Sequence, residues 1–153
     1  MRPGVRVAVD VGTARVGVAA SDVTATLASP VTVLRRQRRL LTDLDEIATI
    51  VRDREAVEVV VGWPRSLKDT EGPAAESART YAQALAARVE PVPVRLVDER
   101  LTTVVAQRAL HAAGRTVRSS RGQIDAAAAV VILQSALDSE RNAGTPPGEV
   151  VTP

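Results

Sequence analysis

With 153 residues, 45% hydrophobic and 25% charged, the chain has room for one globular domain with a real core and little for a second. The absence of Cys excludes disulfides, thiolate catalysis and Cys-ligated metal sites. The single His argues against a Ser-His-Asp triad, and one Trp, one Tyr and no Phe argue against recognition by aromatic stacking. Twenty bases against eighteen acids leave a net charge of +2, so any chemistry must rest on carboxylates, hydroxyls, backbone groups and Arg.

Val5, Val7, Val9 and Val11 alternate with Arg6, Ala8, Asp10 and Gly12, a period of two that predicts a strand with Asp10 on the face opposite the valines. Gly12 to Arg15 reads as a tight turn and Val16 to Ser21 as the returning antiparallel strand. Val31 to Leu34 follows Pro30 as a third extended run, completing a meander. Leu40, Leu44, Ile47 and Val51 then recur at helical spacing, with Thr42 as the expected N-cap. Glu58 to Gly62 is a β-branched run of the kind buried in a parallel sheet. Pro73 opens a helix whose inner face is Ala78, Tyr81, Leu85 and Val89. Val92 to Val97 is a fifth strand, and a helix from about Thr103 to Ala113 is closed by Gly114. Ile124 to Glu140 is a last, largely apolar helix.

This order predicts an α/β fold: a five-stranded mixed sheet, three antiparallel strands and then parallel ones, with helices on both faces. The domain is expected to span residues 1–140. Residues 141–153, rich in Pro and Gly, are expected to form a disordered tail. The strand-like run begins too early for a signal peptide. The longest apolar run, Ala126 to Leu133, is far short of the roughly 20 residues that span a bilayer. The chain therefore reads as cytoplasmic, with no membrane partner.

Charge is unevenly spread. Arg35, Arg36, Arg38 and Arg39 cluster, and Arg100 to Ile124 holds no acid but carries Arg100, Arg108, Arg115, Arg118 and Arg121. Leu40 to Pro64 is acidic by contrast. A basic run can be the footprint of a polyanion or simply a solvated face.

Three carboxylates stand where chemistry could gather. Asp10 ends the first strand, Glu99 follows the fifth, and Asp125 opens the last helix. Ligands of parallel sheets collect at the strand C-terminal ends, so Asp10 and Glu99 can meet there, with Asp125 brought in by a helix packed across that edge. Clustered carboxylates repel and call for a hard cation, Mg²⁺ or Mn²⁺, which suits phosphodiester hydrolysis. Singly, each acid also has a plain reading: Asp10 as a turn residue, Asp98 and Glu99 as one solvated residue and one helix cap, Asp125 as a first-turn acid favoured by the helix dipole.

Asp10-Val11-Gly12-Thr13-Ala14-Arg15-Val16-Gly17-Val18-Ala19 with Ser21-Asp22 resembles the opening motif of the YqgF family. Val60-Val61-Gly62-Trp63-Pro64, Asp98-Glu99-Arg100-Leu101-Thr102-Thr103, and Ile124-Asp125-Ala126-Ala127-Ala128-Ala129 with Ile132-Leu133-Gln134 resemble its remaining motifs, in order, over roughly residues 5 to 138. The family is similar to RuvC-type resolvases of the ribonuclease H-like fold. Its members are described as Holliday-junction resolvases and as nucleases maturing the 5′ end of 16S rRNA.

The resemblance implies that Asp10, Glu99 and Asp125 form a catalytic, metal-binding triad for Mg²⁺ or Mn²⁺. It implies a nucleic-acid partner: precursor rRNA, or a four-way DNA junction, which would require a homodimer. Ala128 and Ala129 stand where related resolvases carry a fourth carboxylate, and no acid ends the Val59 to Gly62 strand. Arg15, Arg65, Lys68 and Arg100 are the candidate substrate contacts, with pairing to Asp98 or Glu99 the alternative for Arg100. Thr102 and Thr103 read as helix caps, His111 as structural and Trp63 as packed beneath its loop. Two other functions fit parts of the pattern: a non-catalytic nucleic-acid-binding or ribosome-assembly factor, and an actin-like ATPase built on Asp10-x-Gly12-Thr13. The second needs two such lobes, and the length allows one.

Overall fold

The computed structural model describes residues 1–64, 72–101 and 121–153, apart from the side chains of 101 and 121–125. The expected helix over 103–113, and with it Thr102, Thr103 and His111, lies outside the described residues. The strands are β1 (Arg6–Val11), β2 (Arg15–Ser21), β3 (Ala28–Arg35), β4 (Glu58–Trp63), β5 (Val94–Asp98) and β6 (Glu149–Val150). The helices are α1 (Thr42–Asp53), α2 (Pro73–Val89) and α3 (Arg121–Ala143), and a single 3₁₀ turn, Glu99–Leu101, follows β5.

The six strands form one sheet in the order β3-β2-β1-β4-β5-β6. β1, β2 and β3 make the expected antiparallel meander, and β1, β4 and β5 run parallel. Their C-terminal ends therefore share one edge. Alternation sorts the two faces. Val7, Val9, Val16, Val18, Val59, Val61, Val94 and Leu96 pack with Leu44, Ile47, Tyr81 and Leu85 of α1 and α2. On the other face Ala8, Ala19, Val60 and Val97 meet Ala129, Ile132, Leu133, Ala136 and Leu137 of α3. Alanines on both partners let α3 approach the sheet closely, which is how a core with so few aromatics fills its volume. No helix among the described residues is long and apolar enough to cross a membrane.

Thr42 is the first residue of α1 rather than its N-cap. Leu41 precedes it in the left-handed region (φ 55°), and no side chain caps the helix. Asp43 instead turns into the protein, accepting hydrogen bonds from the Gln37 amide (3.1 Å) and the Tyr81 hydroxyl (2.8 Å). Burial and the Asp43 carboxylate push the Tyr81 phenol upward, so it stays a donor.

The C-terminal segment corrects two expectations: the sheet has six strands, not five, and residues 141–153 are not a disordered tail. α3 runs to Ala143, and β6 then pairs antiparallel with β5 through Leu96↔Glu149 and Arg95↔Val150. The Val151 amide donates to the Val94 carbonyl (2.8 Å), and its side chain is buried in the valine core. Composition misled here because a two-residue strand needs no pattern of its own; the open edge of β5 supplies the template. Gly148 makes the approach possible: its φ is +82°, and a methyl there would stand 2.1 Å from the Leu96 carbonyl oxygen. Gly148→Ala is therefore expected to detach the strand and expose Val151, costing about 2 kcal/mol. Urea melts, with limited proteolysis read for cleavage beyond Ala143, check this; an unchanged midpoint would show that the strand adds no stability.

At the sheet end opposite the strand C-termini lies a buried ionic cluster. Arg6, 1% exposed, donates to Glu140 of α3 (2.9 Å) and to the Gly4 carbonyl (2.7 Å). Arg2 bridges Glu140 (2.6 Å) and Glu58 (3.2 Å), and Arg95 pairs with Glu58 (2.8 Å). β1, β4, β5 and α3 are thus joined by charge at one end.

Candidate active site

The register of the parallel strands builds the site. Val9 pairs with Val61, which sets Asp10 beside Gly62, and Gly62 pairs with Val97 of β5. Asp10 shares the parity of Ala8 and so lies on the face covered by α3, as the alternation predicted. Glu99, the first residue of the 3₁₀ turn after β5, folds back over β4. A methyl on residue 62 would stand 2.8 Å from Glu99 Oε1 and 2.6 Å from Ile132 Cδ1. Gly62 is thus the floor on which the Glu99 carboxylate rests, with α3 on its far side. A carboxylate at the end of β4 would occupy that space. Glu99 supplies one from the next strand, and the glycine leaves room for it.

Glu99 is half-buried, and its carboxyl is raised above the usual glutamate range, first by desolvation, then by the charges of Asp10 and Asp98. The Asp10 charge is close enough to disfavour ionisation of Glu99. Asp125 falls in the first turns of α3, seven residues before Ile132, and its side chain lies outside the described part of the structure.

The neighbours of Glu99 take the alternative role that was left open. The Asp98 carboxylate accepts the Arg100 amide (2.8 Å) and the Arg100 guanidinium (2.6 and 2.8 Å). Asp98 caps the turn and engages Arg100, and Glu99 between them turns toward the sheet. Arg15 is exposed at the start of β2. Arg65 and Lys68 lie outside the described residues. Trp63 is packed, not a platform: its indole N–H donates to the Ala75 carbonyl (3.2 Å), and Arg79 sits 4.8 Å over the ring.

Asp22, part of the opening motif, works on the backbone. Hydrogen bonds from the Thr24 hydroxyl and the Leu27 and Thr26 amides hold its carboxyl down to about 2, closing the β2–β3 turn. Sequence reasoning missed the role of Gly62. The available signal was a glycine within a run of β-branched residues, where close approach by another group is the usual reason.

A family model described as "RuvX: Holliday junction resolvase" matches residues 4–139, a span that takes in Asp10, Gly62, Glu99 and Asp125. The chain belongs to this family. Membership in the RuvX family makes it an enzyme of the nuclease class, in agreement with the resemblance carried by the four motifs. A curated relative from Nocardioides is 54% identical over 99% of this chain and 98% of its own length, and is named "Putative pre-16S rRNA nuclease". One from Thermobifida fusca, with the same name, is 54% identical with the same coverage. Among solved structures, RuvC of Thermus thermophilus in complex with a Holliday junction substrate superposes with a TM-score of 0.61 at 14% identity, covering 94% of this chain and 99% of that one. The ribonuclease H-like fold implied by the resemblance is the one observed.

Proposed function

We propose that the chain is a divalent-metal-dependent endonuclease that cleaves phosphodiester bonds in structured nucleic acid, with precursor 16S rRNA as its substrate. The observation that carries the reading is the Glu99 carboxylate resting on Gly62 beside Asp10. A carboxylate whose ionisation is disfavoured by burial and by neighbouring acids, at a strand-end cleft, forms a site suited to a cation. Asp10 and Glu99, joined by Asp125 from α3, offer only hard oxygen donors, the set that suits Mg²⁺ or Mn²⁺. Such an ion, when bound, lowers the pKa of water and stabilises a leaving oxygen. Asp10 stands on β1, which has a strand on either side, so the sheet fixes its backbone position. Glu99 is fixed by the glycine floor and by the Asp98–Arg100 pair flanking it. Arg15, with Arg65 and Lys68, supplies positive charge for the scissile strand. Arg100 orients the turn that carries Glu99.

Precursor rRNA is preferred because relatives named for it share 54% identity over nearly the whole chain, whereas RuvC shares the fold at 14%. Resolution of a four-way junction is the second reading, favoured by the description of the family model, and it requires a two-fold dimer. The test offers purified protein precursor 16S rRNA and a four-way junction side by side with Mg²⁺ or Mn²⁺. Metal-dependent cleavage of the rRNA is expected, reduced on the order of 10³-fold, or about 4 kcal/mol of barrier, by Asp10→Asn, with binding retained. Unchanged cleavage by that variant removes the mechanism. Cleavage of the junction alone selects the second reading, and binding of both without turnover marks a non-catalytic assembly factor.

A further inference from the structure

The antiparallel strands carry a second set of charges onto the same face, two residues further along. Asp10 is paired with Gly17 of β2, and Arg15, two residues away on β2, keeps the same face. Arg15 is in turn paired with Arg35, the last residue of β3. Read across the sheet edge, the α3 face therefore presents Arg35, Arg15, Asp10 and Gly62, with Glu99 folded over the glycine. At ordinary strand spacing Arg35 and Arg15 stand roughly 10 and 5 Å to the side of Asp10 and about 7 Å further along the strands. Both are exposed.

Like charges directly opposite one another on neighbouring strands are destabilising, a cost this pair carries at the edge of the sheet. The segment beyond it is firmly built. The Arg36 amide donates to the Ala14 carbonyl (2.9 Å), and its guanidinium donates to the Gly12 carbonyl (3.1 Å) and Ser77 hydroxyl (3.3 Å) while lying 5.4 Å over the Tyr81 ring. Arg38 donates to the Thr13 carbonyl (3.1 Å), and buried Asp43 holds Gln37. Arg36 and Arg38 clamp the β1–β2 turn to the end of β3. That clamp fixes Arg35 and Arg15 relative to Asp10, two residues before the turn.

We propose that Arg35 and Arg15 form a track for the phosphodiester backbone, leading the substrate strand from the acidic pair across β2 to the edge of the sheet at β3. The proposal rests on the nuclease reading above and adds the direction in which the strand leaves the site. Guanidinium forks match phosphate geometry, and phosphate contacts position a strand without reading its sequence. A face that passes from basic to acidic sets the backbone on one side and the scissile phosphate on the other.

The test measures binding of a labelled mixed-sequence RNA duplex, and of a DNA duplex of the same sequence, by anisotropy in EDTA across a salt series. Arg35→Gln is expected to weaken binding about 5- to 10-fold at low salt and to lower the slope of log affinity against log salt by about one. Arg15→Gln is expected to do the same, and Arg35→Lys to keep most of the slope. Arg54→Gln, an exposed charge at the far end of α1, controls for net charge and leaves both readings unchanged. Equal losses on RNA and DNA support a backbone track; a loss confined to one duplex overturns it. An unaltered slope in Arg35→Gln, or an equal loss in Arg54→Gln, also overturns the track while the nuclease reading stands. Parent protein that binds neither duplex overturns both.

Discussion

Glu99→Gln is expected to abolish cleavage, on the order of 10³-fold, while making the metal-free protein more stable at neutral pH. The two effects have one cause. In the folded protein the Glu99 carboxyl holds its proton to a higher pH than in the unfolded chain, because it is desolvated over Gly62 and faces Asp10 and Asp98. Its contribution to stability is therefore full below the ordinary glutamate range and is lost as pH rises through the raised value. Glutamine fills the same space without the charge. The melting temperature of the variant should exceed that of the parent by about 2 °C near neutrality, a small margin because solvent screens a half-buried group, and the margin should close in acid. Added Mg²⁺ should raise the parent and leave the variant unmoved. Melting curves in EDTA and in Mg²⁺ at acid and neutral pH check this. A variant that melts below the parent at neutral pH in EDTA would mean that Glu99 stabilises the fold, and the site would lose its strained-carboxylate character.

The largest stability effect is expected at the opposite end of the sheet. Glu140→Ala removes the carboxylate that Arg6 and Arg2 share, and leaves the 1% exposed Arg6 guanidinium without its counter-charge. Truncating one partner of a buried pair costs about 3–5 kcal/mol, which for a domain of this size lowers the melting temperature by about 10 °C. Arg6→Met combined with Glu140→Leu replaces both charges by apolar bulk and should recover much of the loss. Urea denaturation of the two variants measures it. If the single variant lies within about 1 kcal/mol of the parent, the cluster is screened by water and adds little. Cleavage by the double variant should be near normal, since the cluster and the acidic pair occupy opposite strand ends.

Much of this molecule could be read before its structure. The period of two through Val5 to Val11 put Asp10 on the correct face, and the β-branched run at Glu58 to Gly62 marked the central parallel strand. What escaped was whatever depended on a partner distant in sequence. Arg6 occupied a polar position in the alternation with no partner in view, and α3 brings Glu140 to it across 134 residues. Gly62 looked like the end of a strand, because the group it accommodates arrives from β5. Thr42 had the right chemistry for a cap, yet the loop before α1 is organised by Asp43 and Tyr81, which come together only when α1 and α2 pack. The segment after Ala143 lacked any pattern because β5 imposes one on it.

Trp63 has a consequence for how the protein can be watched. It is the chain's one tryptophan, buried one residue after Gly62, with its indole donating to Ala75 and the Arg79 guanidinium over its ring. Excitation at the red edge, where Tyr81 does not absorb, therefore reports from a single, known place. The emitting ring sits against the α1–α2 side of β4, while the Glu99 carboxylate rests one residue earlier on the other. The backbone that carries the fluorophore is continuous with the glycine under the acidic pair, and the unlabelled protein contains its own optical gauge beside the site.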